Sequence, residues 1–112
     1  MTVTIDQEFA PGNRYMYDSA LPNDFAQVDT SQDASYFGNW ASAKRRVLFS
    51  YCEGDCTTIQ CETNDEFRQE VLKIKQWNED NGHKFNGIDP GWKPDAKLME
   101  LWTECGLSDL MV

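Results

Sequence analysis

An α+β fold, a small antiparallel sheet packed by two helices, is predicted by three features of the chain. Residues 46–61 alternate apolar and polar side chains about a short polar turn. Residues 64–81 carry a helix-start signature followed by an apolar stripe, and residues 94–105 repeat such a stripe ahead of a glycine. Strand signals precede helix signals instead of alternating with them, which favours layered α+β packing over a doubly wound sheet. A chain of 112 residues suits one hydrophobic core. Residues 1–24 read as an irregular amino-terminal arm and residues 25–112 as a single α+β domain.

Each element has its own reason. The arm holds Pro11-Gly12-Asn13 and Leu21-Pro22-Asn23-Asp24, both turn-forming runs. Residues 25–30 and 34–40 read as two short strands around Ser31-Gln32-Asp33, the second weakened by Gly38 and Asn39. In the hairpin, a three-residue loop Glu53-Gly54-Asp55 sets Cys52 opposite Cys56, Tyr51 opposite Thr57, Phe49 opposite Ile59 and Val47 opposite Cys61. One face is then consistently apolar. A two-residue loop pairs Phe49 with Thr58 and Val47 with Gln60 instead, mixing the faces, so the pattern favours the longer loop.

Thr63-Asn64-Asp65-Glu66 is a capping box, and Phe67, Val71, Ile74 and Trp77 follow at helical spacing up to Gly82. A second helix begins near Pro94 and places Leu98, Leu101, Trp102 and Cys105 on one face; Gly106 ends it, with Leu107 folding back on Trp102. The expected core is Phe49, Ile59, Phe67, Val71, Ile74, Leu98, Leu101 and Trp102.

Ten basic and nineteen acidic side chains leave a formal net charge of −9. A field of that sign repels a phosphate backbone, so direct nucleic-acid binding is not expected. Residues 1–43 hold six acids against Arg14, whereas residues 44–63 balance three against three. The start, Met1-Thr2-Val3-Thr4-Ile5-Asp6, has neither a basic leader nor a long apolar run, which predicts a soluble cytoplasmic protein without a membrane span. In that compartment Cys52, Cys56, Cys61 and Cys105 are expected as reduced thiols.

Candidate chemistry is sparse. Cys52, Cys56 and Cys61 form the cluster nearest to a zinc site, yet their spacing and strand alternation favour small packed thiols, and no metal or cofactor is expected. His83, after Gly82, reads as a helix-end residue and not as a general base. Glu53 and Asp55 suit a turn better than a cation site or an acid and base pair. Lys44-Arg45-Arg46 reads as a solvated strand end or as ion-pair partners of the acidic arm. No glycine-rich loop joins a strand to a helix, so nucleotide binding has no support.

Tyr36-Phe37-Gly38-Asn39-Trp40, then Tyr51-Cys52-Glu53-Gly54-Asp55 and Glu66-Phe67, resembles a pattern of small phage- and plasmid-associated bacterial proteins, across residues 25–80. The resemblance carries no biochemical activity. It implies a mobile-element setting, in which short acidic proteins block host defence by protein contact or by imitating DNA charge, in the manner of anti-CRISPR and anti-restriction proteins. Joined to the acidic excess, and to Tyr36, Phe37, Trp40, Trp77, Trp92 and Trp102, more aromatics than two short helices and a hairpin must bury, it leads to the expectation of a non-enzymatic binding protein that inhibits or regulates a larger macromolecular complex with a basic surface. Asp24, Asp29, Asp33, Tyr36, Trp40, Glu53 and Asp55 are the expected partner-binding residues. A zinc-stabilised interaction module and a small hydrolase using carboxylates are the alternatives.

Overall fold

The computed structural model describes residues 3–5, 24–31, 37–52, 55–90 and 95–112, with the backbone alone at 3–5, 37, 51–52 and 55–56. The elements run β1 (Val3–Ile5), β2 (Ala26–Thr30), β3 (Phe37–Ser42), β4 (Val47–Cys52), β5 (Asp55–Gln60), α1 (Asn64–Asp80), β6 (Phe85–Asp89) and α2 (Ala96–Glu104), followed by a 3-10 turn at Ser108–Leu110. The strands form one six-stranded sheet in the order β1-β5-β4-β3-β2-β6, all neighbours antiparallel. This is the α+β architecture expected, with a larger sheet than the hairpin and one or two strands required. Val3–Ile5, read as part of an irregular arm, pairs with β5, and the turn-rich residues 6–23 lie outside the described residues.

The register of the central hairpin corrects the sequence reading. Val47 sits across from Gln60, Leu48 from Ile59, Phe49 from Thr58, Tyr51 from Cys56 and Cys52 from Asp55, leaving Glu53-Gly54 as a two-residue connection. Cys52 and Cys56 are therefore not cross-strand partners. The longer loop rested on the premise that only one face of the hairpin is buried. In fact Val47, Leu48 and Phe49 are all buried, at 0%, 1% and 0% exposure, so β4 is covered on both faces and the mixed pattern costs nothing. Leu48 and Ile59 join the helix-side core, while Phe49 lies on the opposite face against Trp40, ring centroids 5.6 Å apart.

Gly38 makes room for that contact. A Cβ there would lie 2.1 Å from the Trp40 ring, so the indole occupies the space a side chain would take. Asn39, across from Ser50, accepts its hydroxyl hydrogen bond at 2.7 Å. The two residues that weakened the strand prediction thus serve the strand, which runs on to Ser42, past the predicted end at 40, while residues 34–36 lie outside the described residues.

On the helix side, Ala26, Val28, Ala41, Leu48 and Ile88 of the sheet meet Phe67 and Val71 of α1, Trp102 of α2, and Cys105 and Leu107 just after it. Ile59, Ile74 and Leu101 are only partly buried against this core, and Leu98 is half-buried. The helix boundaries follow the sequence signals closely. Thr63 caps α1 by accepting the Glu66 amide at 3.1 Å. Asp95 caps α2 by accepting from Leu98 at 2.9 Å, and the predicted starting Pro94 lies outside the described residues.

Both helices stop in the same way, on a glycine with positive φ. At Gly82 (φ 76), His83 donates its amide to Asn78 at 2.8 Å and Gly82 to Glu79 at 3.2 Å; at Gly106 (φ 74), Leu107 donates to Trp102 at 3.0 Å and Gly106 to Thr103 at 2.9 Å. These bonds satisfy carbonyls that a helix end otherwise leaves open. An apolar contact accompanies each stop. Leu107 is fully buried in the core that holds Trp102, and His83 stacks on Trp77 with centroids 6.0 Å apart.

Candidate functional site

Of the expected partner-binding residues, Asp24, Asp29 and Trp40 are the ones whose side chains are described, and these three do not form one exposed patch. Asp24 accepts from the Ser42 hydroxyl at 2.7 Å and from Arg45 Nε at 3.0 Å, with its side chain 10% exposed. Together with the Arg45 amide bond to Ser42 at 3.2 Å, this pins the β3–β4 turn. Trp40 is buried, not an exposed anchor. Asp29 is half-buried on β2. Asp33, Tyr36 and Glu53, and the side chain of Asp55, lie outside the described residues. Replacing Asp24 by Asn is expected to cost about 1–3 kcal/mol, because a charge-assisted bond is lost and a buried acceptor weakened. Urea unfolding would check this, and a change inside about 0.5 kcal/mol would match an ordinary surface position.

In the basic cluster, Lys44 and Arg45 are exposed, and both arginines bond to acceptors of the fold itself. Arg45 pairs with Asp24. Arg46, held at φ 51, donates from Nε to Asn64 Oδ1 at 2.9 Å and from Nη1 to the Glu62 carbonyl, and its own carbonyl accepts from Cys61 at 2.9 Å. It thereby ties the β3–β4 turn to the start of α1. Arg68 donates to the Gly106 carbonyl and to Asp109 Oδ1 at 3.3 Å, clamping the end of α2. Guanidinium groups at a helix carboxy terminus meet its partial negative charge. Lys73 pairs with Glu70, and Lys75 with Glu79, along α1.

Cys61 and Cys105 are unbridged and buried. Burial pushes the Cys105 thiol above its ordinary range, against the pull of Arg46 and with a smaller push from Glu104. Among the described residues no group of three or more His, Cys, Asp or Glu is placed to hold a metal ion. The side chains of Cys52 and Cys56 lie outside the described residues.

No family model, curated protein or solved structure matches the chain. No helix among the described residues is long and apolar enough to cross a membrane.

What the fold does present is the outer face of α2. Ala96, Glu100, Thr103 and Glu104 recur on the exposed side of α2, with Met99 at its flank, partly buried against the core. Among the described residues they line an open groove of about 470 Å³. At the end of α2, Asn64 Nδ2 from the start of α1 reaches the Glu104 carbonyl at 3.4 Å. Sequence reading passed over this face because it used residues 94–105 only for their apolar stripe, although two glutamates four apart were visible there. A second exposed feature is Trp77, 51% exposed at the end of α1, although it was counted in the predicted apolar stripe. The stripe that is buried runs through Phe67, Val71 and Asn78, and Trp77 falls to one side of it.

Proposed function

We propose that this chain is a non-enzymatic acidic binding protein that inhibits or regulates a larger macromolecular complex by engaging a basic surface of it. The observation that carries the reading is the direction of its charges. Arg45, Arg46 and Arg68 are bonded to acceptors of the fold itself. Glu100 and Glu104 are exposed and meet no cation among the described residues, in a chain of net charge −9. Arginines bonded to the fold's own acceptors and exposed carboxylates leave a net negative field, which speeds encounter with a positive partner and disfavours nucleic acid. Trp77 supplies a half-exposed aromatic of the type that anchors interfaces. A nucleic-acid-handling complex of host defence, with a channel that receives phosphate, is the partner class this charge suits best, and the mobile-element resemblance points the same way.

The test is capture of the partner from a bacterial host, its identification, and association kinetics with the purified components. The association rate should fall by about tenfold or more between low and high ionic strength, and DNA or RNA should compete. Trp77→Ala should mainly raise the dissociation rate. An association rate indifferent to salt, with no competition by nucleic acid, would overturn the electrostatic reading.

A further inference from the structure

We propose that residues 6–23 cross the sheet on the face opposite α1 and α2 and pack there over Trp40, Val47, Phe49 and Thr58, giving the protein a third layer. Strand directions supply the first argument. All neighbours in the order β1-β5-β4-β3-β2-β6 are antiparallel, so β1, β4 and β2 run one way and β5, β3 and β6 the other. Two connections therefore join parallel strands: β5 to β6 through α1, and β1 to β2 through residues 6–25. Both advance from the β1 edge toward the β6 edge, but they leave strands of opposite direction. Crossovers between parallel strands are right-handed in about 98% of cases. Two right-handed crossovers so related lie on opposite faces of the sheet. α1 packs on the face of Leu48 and Ile88, which leaves the other face to residues 6–25. The connection through α2 obeys the same geometry. It leaves β6, which runs as β5 does, and ends in the parallel bridge from Ile88 to Met111 beyond the β6 edge. One handedness requires α2 on the α1 face, where Trp102 places it.

Burial supplies the second argument. Cross-strand partners share a face, so Trp40, Phe49 and Thr58 lie together with Ser42 and Val47, on the face turned away from Leu48. All five are buried, yet both helices pack into the core on the other face. Of the stretches outside the described residues, 32–36, 53–54 and 91–94 join consecutive elements over five residues or fewer, and 6–23 alone is long enough to span the central strands. β1 and β2 stand four strand spacings apart, about 19 Å, and the connecting residues reach about 65 Å when extended. That leaves slack for a covering layer. The segment brings Phe9, Tyr15, Met16, Tyr17 and Leu21 to it. Thr58 Oγ1, buried on this face, has no hydrogen-bond partner among the described residues, and a crossing backbone offers the groups that would satisfy it. The amino-terminal arm read from the sequence thus becomes a structural layer, and Asp6, Glu8 and Asp18 are carried on the face opposite α1 and α2.

The experiment is nuclear Overhauser spectroscopy on the full, isotope-labelled chain. Ring protons of Trp40 and Phe49 should show contacts to side chains within residues 9–21 and none to α1. Replacing Phe9, Tyr15, Tyr17 or Leu21 by Ser, one at a time, should speed amide exchange at Phe49 and Thr58 by about tenfold or more in at least one variant, the response of a locally opened unit. Lys97→Ala, at an exposed position of α2, should leave it within about twofold. The contacts are read on the unaltered chain, so they decide the matter even where a serine variant does not fold. Ring contacts confined to the sheet, with exchange unaffected by all four substitutions, would overturn the proposal. So would contacts to residues 32–36 or 91–94, or, in a sample mixing labelled and unlabelled chains, contacts to a second copy. None of these outcomes bears on the acidic-binding reading, which stands or fails on its partner kinetics.

Discussion

Replacing Phe67 by Ala is expected to remove about 3–5 kcal/mol of folding stability. Phe67 is fully buried where α1 meets both the sheet and α2, and its ring lies 6.0 Å from that of Trp102. Truncation loses the transfer energy of the ring and leaves a cavity that cannot collapse easily. Val71 and Leu48 on one side, and Trp102 and Leu107 on the other, belong to elements fixed by their own caps and ladders. Domains of this size are typically stable by about 5–15 kcal/mol, so the variant would sit near the limit of folding. Urea unfolding followed by tryptophan fluorescence would measure the loss, and Phe67→Leu provides a milder partner if Phe67→Ala does not fold. A loss below about 0.5 kcal/mol, the range of a surface site, would show that α1 does not pack on the sheet through this residue.

The sequence was most informative where a local rule and the tertiary environment agree. Thr63 and Glu66 at the start of α1, and Gly82 and Gly106 at the two helix ends, act through backbone bonds within one turn, and their signals needed no knowledge of the rest of the fold. The readings departed from the structure where burial is set by distant elements. Hydrophobicity put Trp77 on the apolar stripe and ignored Asn78, yet geometry buries Asn78, whose Nδ2 bonds the Ile74 carbonyl at 2.8 Å. Alternation chose the wrong hairpin register because both faces of β4 are covered. Strand β6 escaped notice because Phe85-Asn86-Gly87-Ile88-Asp89 lacks a strand pattern; it is held by pairing with β2, through a register shift between Asp29 and Thr30. The candidate site was the least legible. Acid content could be counted, but whether a carboxylate faces a partner or an internal arginine depends on contacts such as Asp24 with Arg45, 21 residues apart.

The glycine of β6 gives the second large expected effect. Gly87→Ala should cost about 2–4 kcal/mol, whereas Gly82→Ala should cost about 1 kcal/mol. Both residues have positive φ, 115 at Gly87 and 76 at Gly82, so each substitution strains the backbone. Surroundings separate them. Nothing lies within 4 Å of a Cβ built on Gly82, but one on Gly87 would stand 2.8 Å from the Leu110 carbonyl oxygen and 3.0 Å from Val112 Cγ2. The first of these neighbours is backbone and cannot rotate away. Relief would require residues 110–112 to move, and they are tied down by the Val112 amide bond to Ile88 at 2.9 Å, the bridge between Ile88 and Met111, and the packing of Leu110 and Met111 on the core. In Gly87→Ala the strain should therefore appear as detachment of this segment from the edge of β6. Amide hydrogen exchange at Val112 should accelerate by about tenfold or more, the response of a locally opened unit, with little change in Gly82→Ala. Equal losses of stability in the two variants, with Val112 exchange unchanged in both, would show that residues 110–112 do not sit against Gly87 in solution.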